Sequence, residues 1–158
     1  MIVVDKDRQR FIYRIAGLAI QDGFVLVHQG EGDDHWSLPG GRAEVGESAA
    51  QTLTREMQEE LGARVGVLRP LWLAENFFAY GARDYHEVGL YFLMTFLEAG
   101  PVMRSDGPFF GLDRESRLTF RWVPADAASL SALPLLPSFL QPALTNPPES
   151  LQHIVHRG

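Results

Sequence analysis

The chain contains no cysteine. Disulfide staples, thiolate zinc sites and a cysteine nucleophile are therefore excluded, and the absence fits a reducing cytoplasm. Basic residues are also in deficit: 14 Lys and Arg stand against 20 Asp and Glu, a formal net charge of −6. A duplex nucleic-acid partner would need a basic face, so none is expected. A polyphosphate ligand stays open, because bound cations can carry the positive charge. No apolar run approaches the length of a membrane span. The opening MIVVDKDRQRF lacks the charged-then-apolar order of a secretion signal. Neither a membrane partner nor export is expected, and the cytoplasm is the expected location. Internal repeats and low-complexity tracts are absent too. At 158 residues and 46% apolar composition, the expectation is one globular domain over 1–158, with its core at about 10–130 and a proline-rich C-terminal tail.

What the chain does have is hydrophobic patterning cut by turn residues. FIYRIAGLAI at 11–20 predicts a strand, Gln21-Asp22-Gly23 a hairpin turn, and 24–28 the partner strand. Residues 29–35 read as a polar loop. WSLPGG at 36–41 reads as a short strand and a turn, whose two glycines let backbone approach a ligand closely. Residues 64–78 and 85–97 predict strands about a turn near Gly81. A long loop is expected over 99–117, then a last strand at 118–123. PADAAS at 124–129 starts a short helix, 133–144 reads as another broken by Pro137 and Pro142, and the tail from Thr145 reads as turn-like, lying across the domain or a partner. Alternating strands and helices imply a mixed sheet covered by helices.

Between them lies the densest chemistry, GRAEVGESAAQTLTREMQEELGA at 41–63. Ser48 and Gln51 form a capping-box pair, no Gly or Pro interrupts residues 49–61, and Gly62 supplies a stop, so a helix is expected near 48–61. Ala49, Ala50, Leu53, Met57 and Leu61 recur at spacings of three and four, a single buried stripe. Glu56, Glu59 and Glu60 lie off it, as neighbours on a solvated face. Three crowded carboxylates repel one another, and Arg55 alone cannot neutralise them. A hard divalent cation can, and carboxylate oxygens suit Mg2+ or Mn2+.

Written as G-x5-E-x7-R-E-U-x-E-E-x-G-U, with U a bulky aliphatic, the stretch resembles the Nudix box. Gly41, Glu47, Arg55, Glu56, Glu59, Glu60 and Gly62 all match, and only Ala63 is smaller than usual. The resemblance implies an α/β fold, the Nudix α/β/α sandwich with a mixed sheet. It implies a hydrolase that cleaves a nucleoside diphosphate linked to another moiety, with Mg2+ (or Mn2+) as cofactor. The carbonyl of Gly41 and the carboxylates of Glu56, Glu59 and Glu60 would be the metal ligands. Glu47 would pair with Arg55 and orient them. A carboxylate would take the proton of the attacking water: Glu56 or Glu59, or, as in many members, an acid of a later loop, here 107–119, with Glu115 ranked before Asp113. Relatives also suggest a homodimer.

The substrate is marked more faintly. ENFF at 75–78 with His86-Glu87 after it recurs in one Nudix group, and Glu87, at the mouth of an apolar strand, is a candidate substrate contact. His28, His35, His153 and His156 are expected on the surface, His35 nearest the site. The proline that marks ADP-ribose enzymes is missing, as are the NADH and coenzyme A phrases. Tyr80 falls where the dinucleoside polyphosphate group carries a tyrosine. Trp36, Phe77, Phe78 and Tyr80 could stack on a base of any kind. The leading expectation is a nucleoside triphosphate pyrophosphohydrolase, oxidised nucleotides included. The alternatives are a hydrolase of dinucleoside polyphosphates or nucleotide sugars, or a non-catalytic nucleotide-binding regulator.

Overall fold

The computed structural model describes residues 1–98 and 107–158. Among these residues ten strands and three helices come in this order: β1 (Val3–Lys6), β2 (Gln9–Leu18), β3 (Ile20–Gln21), β4 (Phe24–Gly30), β5 (Gly40–Arg42), α1 (Ala49–Leu61), β6 (Val65–Tyr80), β7 (Arg83–Phe96), β8 (Phe109–Asp113), β9 (Ser116–Pro124), α2 (Ala127–Ala132), α3 (Leu140–Ala143) and β10 (Gln152–Arg157). One sheet runs β1-β2-β7-β6-β10, with β5 also on β2. The other runs β3-β4-β9-β8. Both parallel pairings, β2 with β7 and β10 with β6, lie in the first sheet beside antiparallel ones, so that sheet is mixed.

Period-two alternation builds the layers. Ile15 and Leu26 enter one core with Leu53 and Met57 of α1. Their neighbours Ala16, Val25 and Val27 enter a second core with Leu130 and Leu140 of α2 and α3. Helices therefore cover opposite faces of the strands, an α/β/α sandwich. α1 is capped as its sequence demands. Ser48 Oγ accepts from the Gln51 amide, Gln51 Oε1 accepts from the Ser48 amide, and Gly62 closes the helix with a left-handed φ of 63°. Its buried face is shifted from the expected stripe, because Ala50 is exposed while Thr52, Glu56 and Glu60 are buried beside Leu53 and Met57.

The second half departs from expectation in several places. Part of the long loop expected over 99–117, residues 99–106, lies outside the described residues. The rest is not a loop, because β8 and β9 form a hairpin whose turn is Arg114-Glu115. Strand β9 is not the last, since the tail forms β10, which adds to the edge of β6 in parallel from Gln152 to Arg157. The β-branched pair Ile154-Val155 in QHIVHR suits a strand at that edge. The helix expected over 133–144 shrinks to the four residues of α3, which begins only after Pro137 and carries Pro142 in its first turn, where a missing donor is tolerated. Gly40-Gly41 is not a turn but a strand against β2. Among the described residues no helix is long and apolar enough to cross a membrane.

Candidate active site

An acidic cleft of about 990 Å3 opens where α1, β5, β2, β4 and the β8–β9 turn converge. The helix places Arg55, Glu56, Glu59 and Glu60 on it, β5 places Gly41 and Arg42, β2 places Arg14, the end of β8 places Asp113, and the turn after it places Arg114. Of the predicted box residues, Gly41, Arg55 and all three acids are thus brought together. Glu59 is exposed. Glu56 and Glu60, expected on a solvated face, are instead buried at 8% and 5% exposure. Two glycines explain how close the cover comes. A Cβ at Gly41 would lie 2.3 Å from Glu56 Cδ, and one at Gly111 of β8 would lie 2.3 Å from the Glu60 carbonyl oxygen.

Arg55 organises this corner. Its Nε donates to Glu47 Oε2 at 2.7 Å and its Nη2 to Glu47 Oε1 at 2.9 Å, a two-pronged pair. Its Nη1 reaches Glu56 Oε1 at 2.8 Å and Glu59 Oε2 at 3.3 Å, and its Nη2 also reaches the Arg42 carbonyl. Glu47 in turn accepts from Thr52 Oγ1 and the Glu44 amide. These bonds, Arg55 foremost, hold the Glu47 carboxyl down at about 2. The opposite applies across the cleft. Burial pushes the Glu56 and Glu60 carboxyls up, and for Glu60 the neighbouring Glu56 charge adds to it while Arg14 opposes.

Glu60 Oε2 is fully buried and has no hydrogen-bond partner. Facing it at 3.9 Å is Nδ1 of His28, also without a partner. His28 is therefore not the surface residue its sequence suggests. It is buried at 7% exposure, because β4 is covered on both faces, and burial lowers its pKa to about 3. Among the described residues no three acid or imidazole side chains already converge on one point, since Arg55 draws Glu56 and Glu59 to itself. The donor set nevertheless fits a hard divalent cation. It is all oxygen, two of its carboxyls are pushed toward their protonated form by burial, and one buried oxygen lacks any partner.

Other candidates separate. Glu115 sits at the tip of the β8–β9 turn, exposed, and does not line the cleft, whereas Asp113 does. Trp36 is 8% exposed in the second core, bridged to Leu135, so it offers no free face for a base. Phe77 stacks on His86 on the opposite side of the sheet, in a separate pocket. Phe78, Tyr80 and Glu87 instead line a cavity of about 460 Å3 that shares Arg14, Asp33, His35, Ser37 and Arg42 with the acidic cleft. His153 is exposed and paired with Glu75, but His156 lines this cavity. Sequence reasoning missed Arg14, Asn76 and His156 as lining residues. Arg14 carried a signal, a lone charge inside the apolar run of 11–20. His156 carried none, because only the pairing of β10 brings it there.

Comparison with known proteins places the chain in a family. A family model described as NUDIX domain matches residues 13–144. The asymmetrical bis(5'-nucleosyl)-tetraphosphatase of Sus scrofa is 31% identical over 121 residues, covering 77% of this chain and 76% of that protein. A candidate mutator protein named MutT4, from Mycobacterium tuberculosis (strain CDC 1551 / Oshkosh), is 44% identical over 62 residues. That stretch is 39% of this chain and only 25% of that protein's length. The crystal structure of a NUDIX hydrolase from Nitrosomonas europaea superposes with a TM-score of 0.62 over 93% of this chain and 79% of its own, at 16% identity, a likeness of fold. By the family match over most of its length, the chain belongs to the NUDIX domain family.

Proposed function

We propose that this chain is a Nudix pyrophosphohydrolase, dependent on a divalent cation, that cleaves a nucleoside triphosphate. The observation that carries the reading is the junction of two cavities. A cleft lined by Glu56, Glu59 and Glu60 opens, past Arg14 and Arg42, into a partly apolar cavity large enough for one nucleoside. Polyphosphate chemistry at one end and a base site at the other match a substrate with one nucleoside and a phosphate chain.

Gly41 and the three glutamates would hold Mg2+ or Mn2+, which when bound neutralises phosphate charge and acidifies water. The chain's own residues do the rest. Glu47 and Arg55 fix the helix against β5 and so fix the carboxylates. Arg14, Arg42 and Arg114 line the route along which the phosphates would lie. Glu59 is the box acid with a solvated carboxylate, and we assign it the proton of the attacking water, ahead of buried Glu56. Asp113 replaces Glu115 as the later-loop candidate.

A second reading, hydrolysis of a dinucleoside polyphosphate, is favoured by the resemblance to the Sus scrofa tetraphosphatase. Product analysis separates the two. With Mg2+, nucleoside triphosphates should yield a monophosphate and pyrophosphate. Faster turnover of dinucleoside tetraphosphates, with a triphosphate product, would favour the second reading. Tight binding without turnover on any of them would leave a regulator and overturn both.

A further inference from the structure

The cavity next to the acidic cleft has a floor built from one row of side chains that crosses four strands. Ile12 pairs with Glu87, Glu87 with Asn76, and Asn76 with His156, in the registers of β2, β7, β6 and β10. Two positions along β6 and β7 from this row, Phe78 stands opposite Tyr85, their rings parallel with centroids 5.0 Å apart. Strand alternation puts Asn76, Phe78 and Tyr80 on one face, so a polar floor meets an aromatic wall.

The floor is polar at a depth where polarity is costly. Asn76 is 5% exposed and Glu87 6%. Asn76 sits opposite Glu87 in the sheet register and its side chain helps hold the Glu87 carboxyl down, while Asn76 Oδ1 is buried without a partner. A buried acceptor without a donor is costly, so such an arrangement is kept where a ligand completes it. Burial also raises the Glu87 pKa, with Arg14 and Arg42 opposing, and a donor from a ligand would relieve that penalty. Asn76 and Glu87 both line the cavity, and Asn76 Oδ1 and the Glu87 carboxylate oxygens are all acceptors.

We infer that this floor reads a base with two adjacent N–H donors, the edge presented by guanine, through Glu87 and Asn76. Guanine offers N1–H beside the 2-amino group. Adenine and cytosine each place a ring acceptor beside their amino group, and uracil flanks its one N–H with two carbonyls, so each would set acceptor against acceptor. The assignment rests on the cavity being the base site of a nucleotide hydrolase, and it names the substrate class within that reading.

The test is a base panel on the unaltered protein. With Mg2+, kcat/KM for GTP should exceed that for ATP, CTP and UTP by roughly ten- to hundredfold, the range a good two-point base contact gives. The difference should lie in KM. Inosine triphosphate, which lacks the 2-amino group, should fall between GTP and ATP. Glu87→Gln should compress the GTP-to-ATP ratio toward one. In parallel, calorimetry with the four nucleoside monophosphates tests the base contact without turnover, and GMP should bind tightest. Hydrolysis with equal KM for all bases, or a preference for adenine or a pyrimidine, would overturn this assignment and leave the hydrolase reading intact. Base-selective GMP binding without any turnover would do the reverse.

Discussion

At the residue scale the site rests on carboxyls held away from their ordinary behaviour. Glu60 is buried beside Glu56, and its pKa is raised. The folded protein therefore binds a proton that the unfolded chain releases above the ordinary carboxyl value of 4.5. Stability falls as pH rises wherever the folded state holds more protons. In chelator, the melting temperature should accordingly decline between roughly pH 7 and 9, a window in which His28, lowered to about 3, contributes no slope. Mg2+ should reverse the decline, and Glu60→Gln should flatten it. A chelated protein whose melting temperature is constant over that window would contradict the buried-acid reading. Glu47 carries the opposite sign. Held near 2 by Arg55, it stabilises the fold above 4.5 and ceases to do so as pH falls through about 2.

At the element scale, α1 and β5 form the working unit, and their contact has no spare room. Gly41→Ala would place a methyl 2.3 Å from Glu56 Cδ, and the acid would have to leave its place. We expect activity to drop by roughly ten- to hundredfold, the range seen when the supports of metal ligands are disturbed, while thermal stability changes little. Ser48→Ala should show the converse pattern. It removes the N-cap, at a cost of about 1 kcal/mol in unfolding free energy, with the carboxylates left in place. Parallel denaturation and rate measurements on the two variants would check both. Most of this unit is legible in sequence, because helix caps and the 3.6-residue period are local properties. Burial of Glu56 and Glu60 is not, since it comes from β5 and β8 closing over the helix. Residues 107–117 mislead for a similar reason. Glycine and charge make them look like a loop, while pairing with β9 decides the matter.

At the scale of the whole molecule, the formal charge of −6 is not uniform repulsion. Arginines 14, 42, 55 and 114 line the same cleft as the acids, so the site can take both a cation and phosphates. The two cores on opposite faces of the strands make a rigid frame for it, and β10 finishes the wall of the neighbouring cavity from far along the chain. The layered fold is foreseeable from the alternation of strand and helix signals. The cavity is not, because its floor is assembled across four strands that only the sheet order brings together.

The hydrolase reading requires that the glutamates of α1 hold a divalent cation. It is tested most directly by titrating Mn2+ into the protein and monitoring free Mn2+ by electron paramagnetic resonance. Binding should be saturable and weaken by at least roughly tenfold in Glu56→Gln and in Glu60→Gln, both still folded by circular dichroism. Mn2+ affinity unchanged in both variants would contradict it.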